Sequence, residues 1–262
     1  LLILFYSFNL YSSDLKDFVE SSSRSDANTL RDVYRNPYAT LSFFGLESDM
    51  TVIELSPGGG WYTEILAPYL KESGELIVAH FNPDVGGYFE RSRSRFEKKI
   101  NNNEIYEAVT IVNLDSKFSE PGEADAVLTF RNLHNWIGPQ LDTILNSAFL
   151  SLKPGGILGV VEHRAEPGTS IEAMKKSGYV TEEWAISEVV KKGFVLLAKS
   201  ELNANPRDTK NHPRGVWTLP PSMAMKEQDK ENTDDAMVDD GDDDEEEYDD
   251  GDHASDADFE GS

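Results

Sequence analysis

The sequence predicts an α/β fold built on a doubly wound, mostly parallel sheet, and three observations support this prediction. Short apolar runs of five to seven residues alternate with helical patterns through most of the chain. These runs are almost continuously apolar, as expected for parallel strands covered by helices on both faces. One run, Thr51–Leu55, contains an acidic residue near its end and leads into a glycine-rich turn. Such turns form at the carboxyl ends of parallel strands, where ligands bind in open α/β sheets.

Five runs are predicted to be parallel strands: Thr51–Leu55, Glu75–His80, 108–112, Ala124–Phe130 and 156–162. The helices predicted around and between them cover residues 62–70, 88–100 and 140–150, with a further helix that Thr181 caps and that reaches Lys192. Residues 28–46 read as helical in two pieces, because Pro37 disfavours helical geometry at Asn36 and can itself open a helix.

The last two apolar runs, residues 194–200 and 215–219, differ from the others. A loop of 14 residues without a helical pattern separates them. Because a parallel neighbour usually requires a helical crossover, this final pair is expected to be antiparallel. The complete prediction is therefore a Rossmann-like, doubly wound sheet of seven strands with an antiparallel last strand.

The charge distribution divides the chain. It carries 48 acidic and 24 basic side chains, and 19 of the acidic but only 2 of the basic ones lie in residues 226–262. This segment is too charged and too poor in large apolar residues to fold alone, which predicts a disordered acidic tail after a domain at 28–225. Before the domain, residues 14–27 are polar and serine-rich, as in a linker.

Residues 1–13 are uncharged and largely apolar, and they have two interpretations. They fit the apolar core of a signal peptide, which would place the protein outside the cytoplasm, in the periplasm of a bacterium. They equally fit a short helix docked on the body of a cytoplasmic protein. No apolar run approaches the ~20 residues of a membrane-spanning helix.

Composition excludes several classes of function. The chain has no cysteine, which excludes disulfides, thiol catalysis and cysteine-ligated metals. Its five histidines are scattered without an i, i+4 pair, so no metal site is predicted. The net charge of −24 leaves no basic surplus for DNA binding. A small-molecule substrate is the expected partner.

The strongest motif is TVIELSPGGGW at residues 51–61, in which Glu54 stands near the end of a strand that leads into three glycines and a helix. Glycines let the backbone approach a ligand, and a helix N-terminus presents free N–H groups. An NAD-type dinucleotide site would require a third fingerprint glycine and an acid at the end of the second strand. The chain has Thr63 and His80 at those positions, which counts against an NAD-dependent oxidoreductase without removing that alternative.

The sequence resembles the class I, seven-stranded S-adenosylmethionine-dependent methyltransferases, in particular a bacterial group of predicted methyltransferases of undefined substrate. The resemblance spans about residues 29–222. Four stretches carry it: VIELSPGGGWYTEILAPYL (52–70), ADAVLTFRNLHNW (124–136), LKPGGILGVVEHRA (152–165) and GVWTLPPS (215–222). It implies S-adenosyl-L-methionine as cofactor and methyl transfer to a small acceptor. A non-catalytic binding protein of the same fold, with the tail as a docking segment, is a further alternative.

The resemblance implies seven cofactor-binding positions: Glu54, Ser56, Gly58, Gly60, His80, Asp115 and Ser116. Glu54 would help to hold the methionine part, and Asp115 would receive the adenine amino group. Ser56 stands where the family usually has a glycine. His80 stands where it has an acid that clamps the ribose hydroxyls, a role that Asn82 or Asp84 could take instead.

Candidate catalytic residues follow the fourth and fifth strands. His134 is a candidate general base, or else a structural histidine, and His163 lies at the same edge of the sheet. The segment around His134 lacks the N/D-P-P-Y/F signature of enzymes that methylate amino groups of DNA bases. Candidate substrate-binding residues are Arg164 and, in the basic loop at 205–214, Arg207 and His212. They suggest an anionic substrate, although an ion pair of Arg164 with Glu162 or Glu166 is the plainer account.

Overall fold

Five parallel strands form a single sheet in the order β3-β2-β1-β4-β5. The structure is a computed structural model that describes residues 14–220 and 222–224. The strands are β1 (Thr51–Leu55), β2 (Glu75–His80), β3 (Val109–Asn113), β4 (Ala124–Phe130) and β5 (Leu152–Val161). The predicted α/β class and the five parallel strands are confirmed, with β3 and β5 displaced by one to four residues at their ends.

Nine α-helices accompany the sheet in the described residues. They are α1 (Leu15–Val19), α2 (Asp26–Thr29), α3 (Asp32–Arg35), α4 (Pro37–Phe43), α5 (Thr63–Leu70), α6 (Gly87–Asn101), α7 (Pro139–Ser151), α8 (Ile171–Ser177) and α9 (Glu182–Val190). None of them is long and apolar enough to cross a membrane.

Helices cover both faces of the sheet. Alternate residues of each strand point to opposite faces, so both sets of side chains are buried. Val52 belongs to the core cluster beneath α1, α4, α5 and α6, whereas Ile53 belongs to the cluster beneath α7. Both side chains are completely buried. This explains why the strands read as continuous apolar runs.

The chain order reverses beside β1, which lies between β2 and β4. The connections that follow β1 and β4 therefore run to opposite faces of the sheet and leave a crevice between them. In open α/β sheets this crevice at the carboxyl ends of the strands is where ligands bind.

The prediction of a sixth and a seventh strand is wrong for the described residues. Residues 194–200 form no strand, and Val195 and Leu197 are 89% and 90% exposed. The ring of Phe194 packs 5.2 Å from that of Phe149 in α7, and Lys199 pairs with Glu182. In the described residues β5 pairs with β4 alone. In place of the seventh strand, Gly215–Thr218 is a 3₁₀ helix.

The 3₁₀ helix forms because the chain turns sharply against α8. Gly215 has φ +58° and lies so close to the carbonyl of Ser177 that no side chain would fit. A glycine in this conformation breaks an extended run that its apolar neighbours otherwise predict.

The expected linker at 14–27 is also corrected, because part of it is helical and packed. Leu15 and Val19 of α1 are buried, and Phe18 contacts Tyr69 of α5 with ring centroids 5.5 Å apart. Apolar residues at i, i+3 and i+4 form one helical face within an otherwise polar segment. The predictions for residues 1–13 and for the tail at 226–262 lie outside the described residues.

Candidate functional site

The turn after β1 leaves the backbone open to a ligand. Ser56, Gly58 and Gly60 all have positive φ, at 47°, 59° and 83°. A Cβ added at Gly58 would meet no atom within 4 Å, whereas one at Gly60 would meet the Phe96 ring at 3.1 Å. Gly60 is therefore required for packing, while Gly58 borders open space in which a ligand can approach the main chain.

Glu54 places an acid beneath this turn without a cation to balance it. The side chain is 1% exposed and accepts a hydrogen bond of 2.7 Å from the Thr63 hydroxyl. The nearby ammonium group of Lys99 instead contacts Glu64 and the Gly59 carbonyl, at 2.7 and 2.9 Å. Burial raises the pKa of Glu54 to about 7, and the hydrogen bond from Thr63 offsets this only in part. A cationic ligand group placed here would ionise Glu54.

Two buried polar atoms near the turn have no hydrogen-bond partner, namely Oγ of Ser56 and Nε2 of His80. His80 is completely buried, and its Nδ1 accepts from the backbone N–H of Phe81 at 2.7 Å. Burial, with a contribution from Arg93, lowers the pKa of His80 to about 4. The Gly58 backbone lies near enough to oppose this shift slightly, although not in hydrogen-bonding geometry. His80 is thus a neutral core residue close to the turn, poorly placed to clamp a ribose.

Exposed polar groups after β2 and β3 meet at the same edge. The Nδ2 atom of Asn82 donates to Asp115 at 3.1 Å, and its Oδ1 accepts from the backbone N–H of Asp84 at 3.0 Å. The Ser116 hydroxyl donates to the Asn113 carbonyl at 2.7 Å, which fixes the loop. Asn82 and Asp115 therefore offer a paired amide and carboxylate to hydroxyl or amino groups.

A carboxylate–imidazole pair lies across the crevice, after β4 and β5. Nδ1 of His134 lies 3.0 Å from Oε1 of Glu162. The same carboxylate accepts from the backbone N–H groups of His134 and His163, at 3.1 and 2.7 Å. A carboxylate at Nδ1 favours the proton there and leaves Nε2 as the acceptor. The sequence does not reveal Glu162 as the partner of His134, because Glu162 stands 28 residues away and next but one to Arg164, with which an ion pair is predicted.

Two arginines that were not predicted also line this side. Arg131 directly follows β4, and Arg35 ends α3. Burial lowers the pKa of His163 well below its ordinary value, and Arg131, His134 and Arg35 contribute to the shift, so the imidazole is neutral. The position of Arg131 after a strand could have identified it from the sequence. Nothing local marks Arg35, because helix packing alone brings it here.

Two of the other predicted substrate-binding residues, Arg164 and His212, contact acids other than Glu162. Arg164 makes two bonds of 2.6 Å to Glu201 and a contact of 3.4 Å to Glu182, so neither of the acids expected from the sequence is its partner. His212 contacts Asp208 at 3.1 Å, and Arg207 is exposed. In the described part of the chain, no group of three potential ligands could hold a metal ion.

Solved structures share this fold. No protein-family model and no curated protein matches the chain. A protein assigned as a methyltransferase from Bacillus halodurans is similar with a TM-score of 0.50 and 15% identity, over 63% of this chain and 71% of its own. A protein assigned as a sarcosine dimethylglycine methyltransferase from Galdieria sulphuraria gives a TM-score of 0.51 and 15% identity, over 65% and 63%, so less than two thirds of its length is matched. The chain therefore has the α/β fold of these two proteins.

Proposed function

We propose that the protein is an S-adenosylmethionine-dependent methyltransferase that acts on a small acceptor. The observation that carries the proposal is the buried, unpaired carboxylate of Glu54 beneath an open glycine turn at the carboxyl end of β1. A carboxylate in this environment has an energetic need for a cation, and the methionine part of this cofactor carries an ammonium group. The fold, which is shared with proteins assigned as methyltransferases, supports the same reading.

The described residues fit this cofactor. Glu54 would pair with its amino group, and the backbone around Gly58 would lie against its methionine part. Asn82 and Asp115 offer a donor and acceptors suited to the hydroxyl groups of ribose and the amino group of adenine. We assign the ribose contact to Asn82 in place of His80, because Asn82 is paired with Asp115 at the exposed end of the strands. When bound, the cofactor supplies a methyl group activated by a sulfonium.

His134 is proposed as the general base for acceptors that carry a proton. Glu162 holds Nδ1 of His134, so Nε2 can accept a proton from the acceptor while the carboxylate stabilises the resulting imidazolium. The neutral His163 lies next to it, with ring centroids 6.2 Å apart, and can donate or accept a hydrogen bond. Much of the remaining catalysis would be positioning of the acceptor for in-line displacement.

The cofactor assignment is tested by calorimetry with S-adenosylmethionine and its product S-adenosylhomocysteine. Gly58→Arg is expected to abolish binding of both, since the new side chain would occupy the open space at the turn. Gly122→Arg is the matched control, because Gly122 has φ +74° and equally open surroundings but precedes β4 at the opposite edge of the sheet. Equal losses in the two variants, or wild-type protein that binds neither compound, would reject the assignment.

Two rival functions remain distinguishable. An NAD-dependent oxidoreductase would bind NADH, and neither adenosyl compound would compete with that binding. The neutral, buried His80 at the end of β2 does not favour this function. A non-catalytic binding protein would bind the cofactor but transfer no radiolabelled methyl group to any component of a metabolite extract. Loss of transfer in His134→Gln with unchanged cofactor binding would separate catalysis from binding alone.

A further inference from the structure

A row of contacting aromatic rings connects Arg35 to the residue that precedes Arg131: Arg35 lies over Trp61, Trp61 lies 4.6 Å from Tyr62, and Tyr62 lies 3.5 Å from Phe130. Arg35 is the last residue of α3, and Asn36, which follows it, has a left-handed conformation. The Cζ atom of Arg35 lies 4.7 Å from the centre of the Trp61 ring. Arg131 follows β4 with φ +61°, and its backbone N–H donates to the Val161 carbonyl at 2.7 Å. A non-glycine residue in this conformation carries strain, which proteins retain mainly at functional positions.

Neither guanidinium has a carboxylate within ion-pair distance among the described residues. The acids close to them are already engaged. Asp32 makes two bonds to Arg24, at 2.6 and 2.8 Å, and Glu162 is held by His134 and the backbone. The contrast with Arg24 is informative, because that arginine is as buried as a core residue and has its own acid.

Apart from Asp32 and Glu162, which have other partners, the groups around the two arginines are neutral or cationic. Tyr62, whose ring stacks on Phe130 with centroids 3.5 Å apart, lies close to both arginines and is neutral because burial raises its pKa. The neutral His163 completes the wall. Burial, followed by the charges of Arg131 and Arg31, lowers the pKa of Arg35 to about 8, and burial also lowers the pKa of Arg131. Two partly buried cations therefore repel each other at neutral pH.

We propose that Arg35 and Arg131 together bind an oxyanion, a carboxylate or phosphate group, carried by the small molecule that the protein acts on. This inference rests on the proposed function, since it names the chemical class of the methyl acceptor. Planar guanidinium groups match the two oxygens of such a group with paired hydrogen bonds. Bound between them, the anion would neutralise the repulsion, and it would lie beside the His134–Glu162 pair.

The sequence-based hypothesis of an anionic substrate is thereby kept, but its location changes. In the loop at 205–214, Lys210 contacts Glu166 at 2.6 Å and His212 contacts Asp208 at 3.1 Å. Arg164 is likewise held by Glu201. Cations that already have carboxylate partners gain less from an added anion than the two that have none.

The test measures anion binding directly, with inorganic phosphate and acetate as probes at constant ionic strength set by chloride. Thermal unfolding of the wild-type protein is expected to shift upward with one or both probes, and the stronger probe identifies the oxyanion. Arg131→Gln and Arg35→Gln should each weaken the response about tenfold or more. Both variants should unfold at or above the wild-type temperature without anion, since each removes a repulsion. If an arginine only stabilised the fold, its replacement would instead lower the unfolding temperature without anion.

Controls separate this inference from the proposed function. Arg91→Gln alters an exposed arginine of α6 and should leave the anion response unchanged. Arg131→Lys keeps the charge and should retain a weaker response, so it decides the matter if Arg131→Gln does not fold. Wild-type protein that binds S-adenosylhomocysteine but responds to neither probe overturns this inference alone. A response to the probes without any cofactor binding overturns the proposed function instead.

Discussion

Binding of the proposed cofactor should release a proton from Glu54, which makes affinity depend on pH. In the free protein, burial holds the pKa of this carboxyl at about 7. An ammonium group at the same place would stabilise the ionised form and return the pKa towards its ordinary value. Because Glu54 must ionise to pair with the ligand, affinity should fall as pH decreases through 7.

The size of the effect follows from that pKa value. With a pKa near 7 in the free protein and about 4.5 in the complex, linkage predicts release of about 0.5 proton at pH 7 and about 0.9 at pH 5.5. The same values predict about fifteenfold weaker binding at pH 5.5 than at pH 7. The ligand's own amino group, with an α-amino pKa of about 8, remains protonated over this interval.

Calorimetry in two buffers of different ionisation enthalpy measures this proton release. Glu54→Gln keeps the shape of the side chain, and it should bind more weakly with no proton released and little dependence on pH. Glu72→Gln, at an exposed position, should match the wild-type protein. Binding by the wild-type protein without proton release at pH 5.5, or release that persists in Glu54→Gln, would refute the argument.

Three further predictions address neighbouring residues. Glu162→Gln should lower kcat by about tenfold to a thousandfold in a methyl-transfer assay while S-adenosylhomocysteine affinity is unchanged, because only the orientation and charge of His134 are altered. Ser56→Gly should stabilise the free protein by about 1 kcal/mol in urea unfolding, since it removes both a positive-φ side chain and a buried hydroxyl without a partner; unchanged or lower stability would contradict this. His80 has a pKa of about 4 in the folded protein, below the value of 6.5 in the unfolded chain. The unfolded chain therefore binds more protons, and the free energy of unfolding decreases as the pH falls below 6.5. His80→Gln should therefore gain about 2 kcal/mol relative to wild type between pH 7 and pH 5, and a constant difference would count against the buried neutral imidazole.

The extent to which sequence predicts this fold depends on how far apart the deciding contacts lie. The β1 strand and its turn were predictable because a continuous apolar run and glycine geometry act within about ten residues. The segment at 194–200 was not, because its apolar composition favours a strand while contacts with distant residues, Phe194 with Phe149 and Lys199 with Glu182, direct it elsewhere. The pairing of a strand needs a partner edge, which local pattern does not specify.

The candidate site shows the same division. Glu54 and Asp115 follow from motif and strand position, whereas the burial of His80 and the unpaired state of Arg35 do not. Whether a titratable side chain points into the core or into the crevice depends on helices packed from other parts of the chain. His80, for example, faces Phe96 of α6, with centroids 5.0 Å apart.

The two sides of the crevice are thus built in different ways. The proposed cofactor side uses strand ends and backbone conformation within the sheet, so its geometry is fixed by β1 to β3. The proposed acceptor side is assembled from distant segments: Asn36, next to Arg35, donates to the Leu202 carbonyl at 3.0 Å, and Asn203 donates to Thr40 at 2.9 Å. These bonds join the amino-terminal helices to residues 202 and 203 in the carboxyl-terminal part of the domain. Because Arg35 belongs to α3 and not to the sheet, substitutions in the terminal segments should alter the proposed acceptor side while leaving the Glu54 site intact.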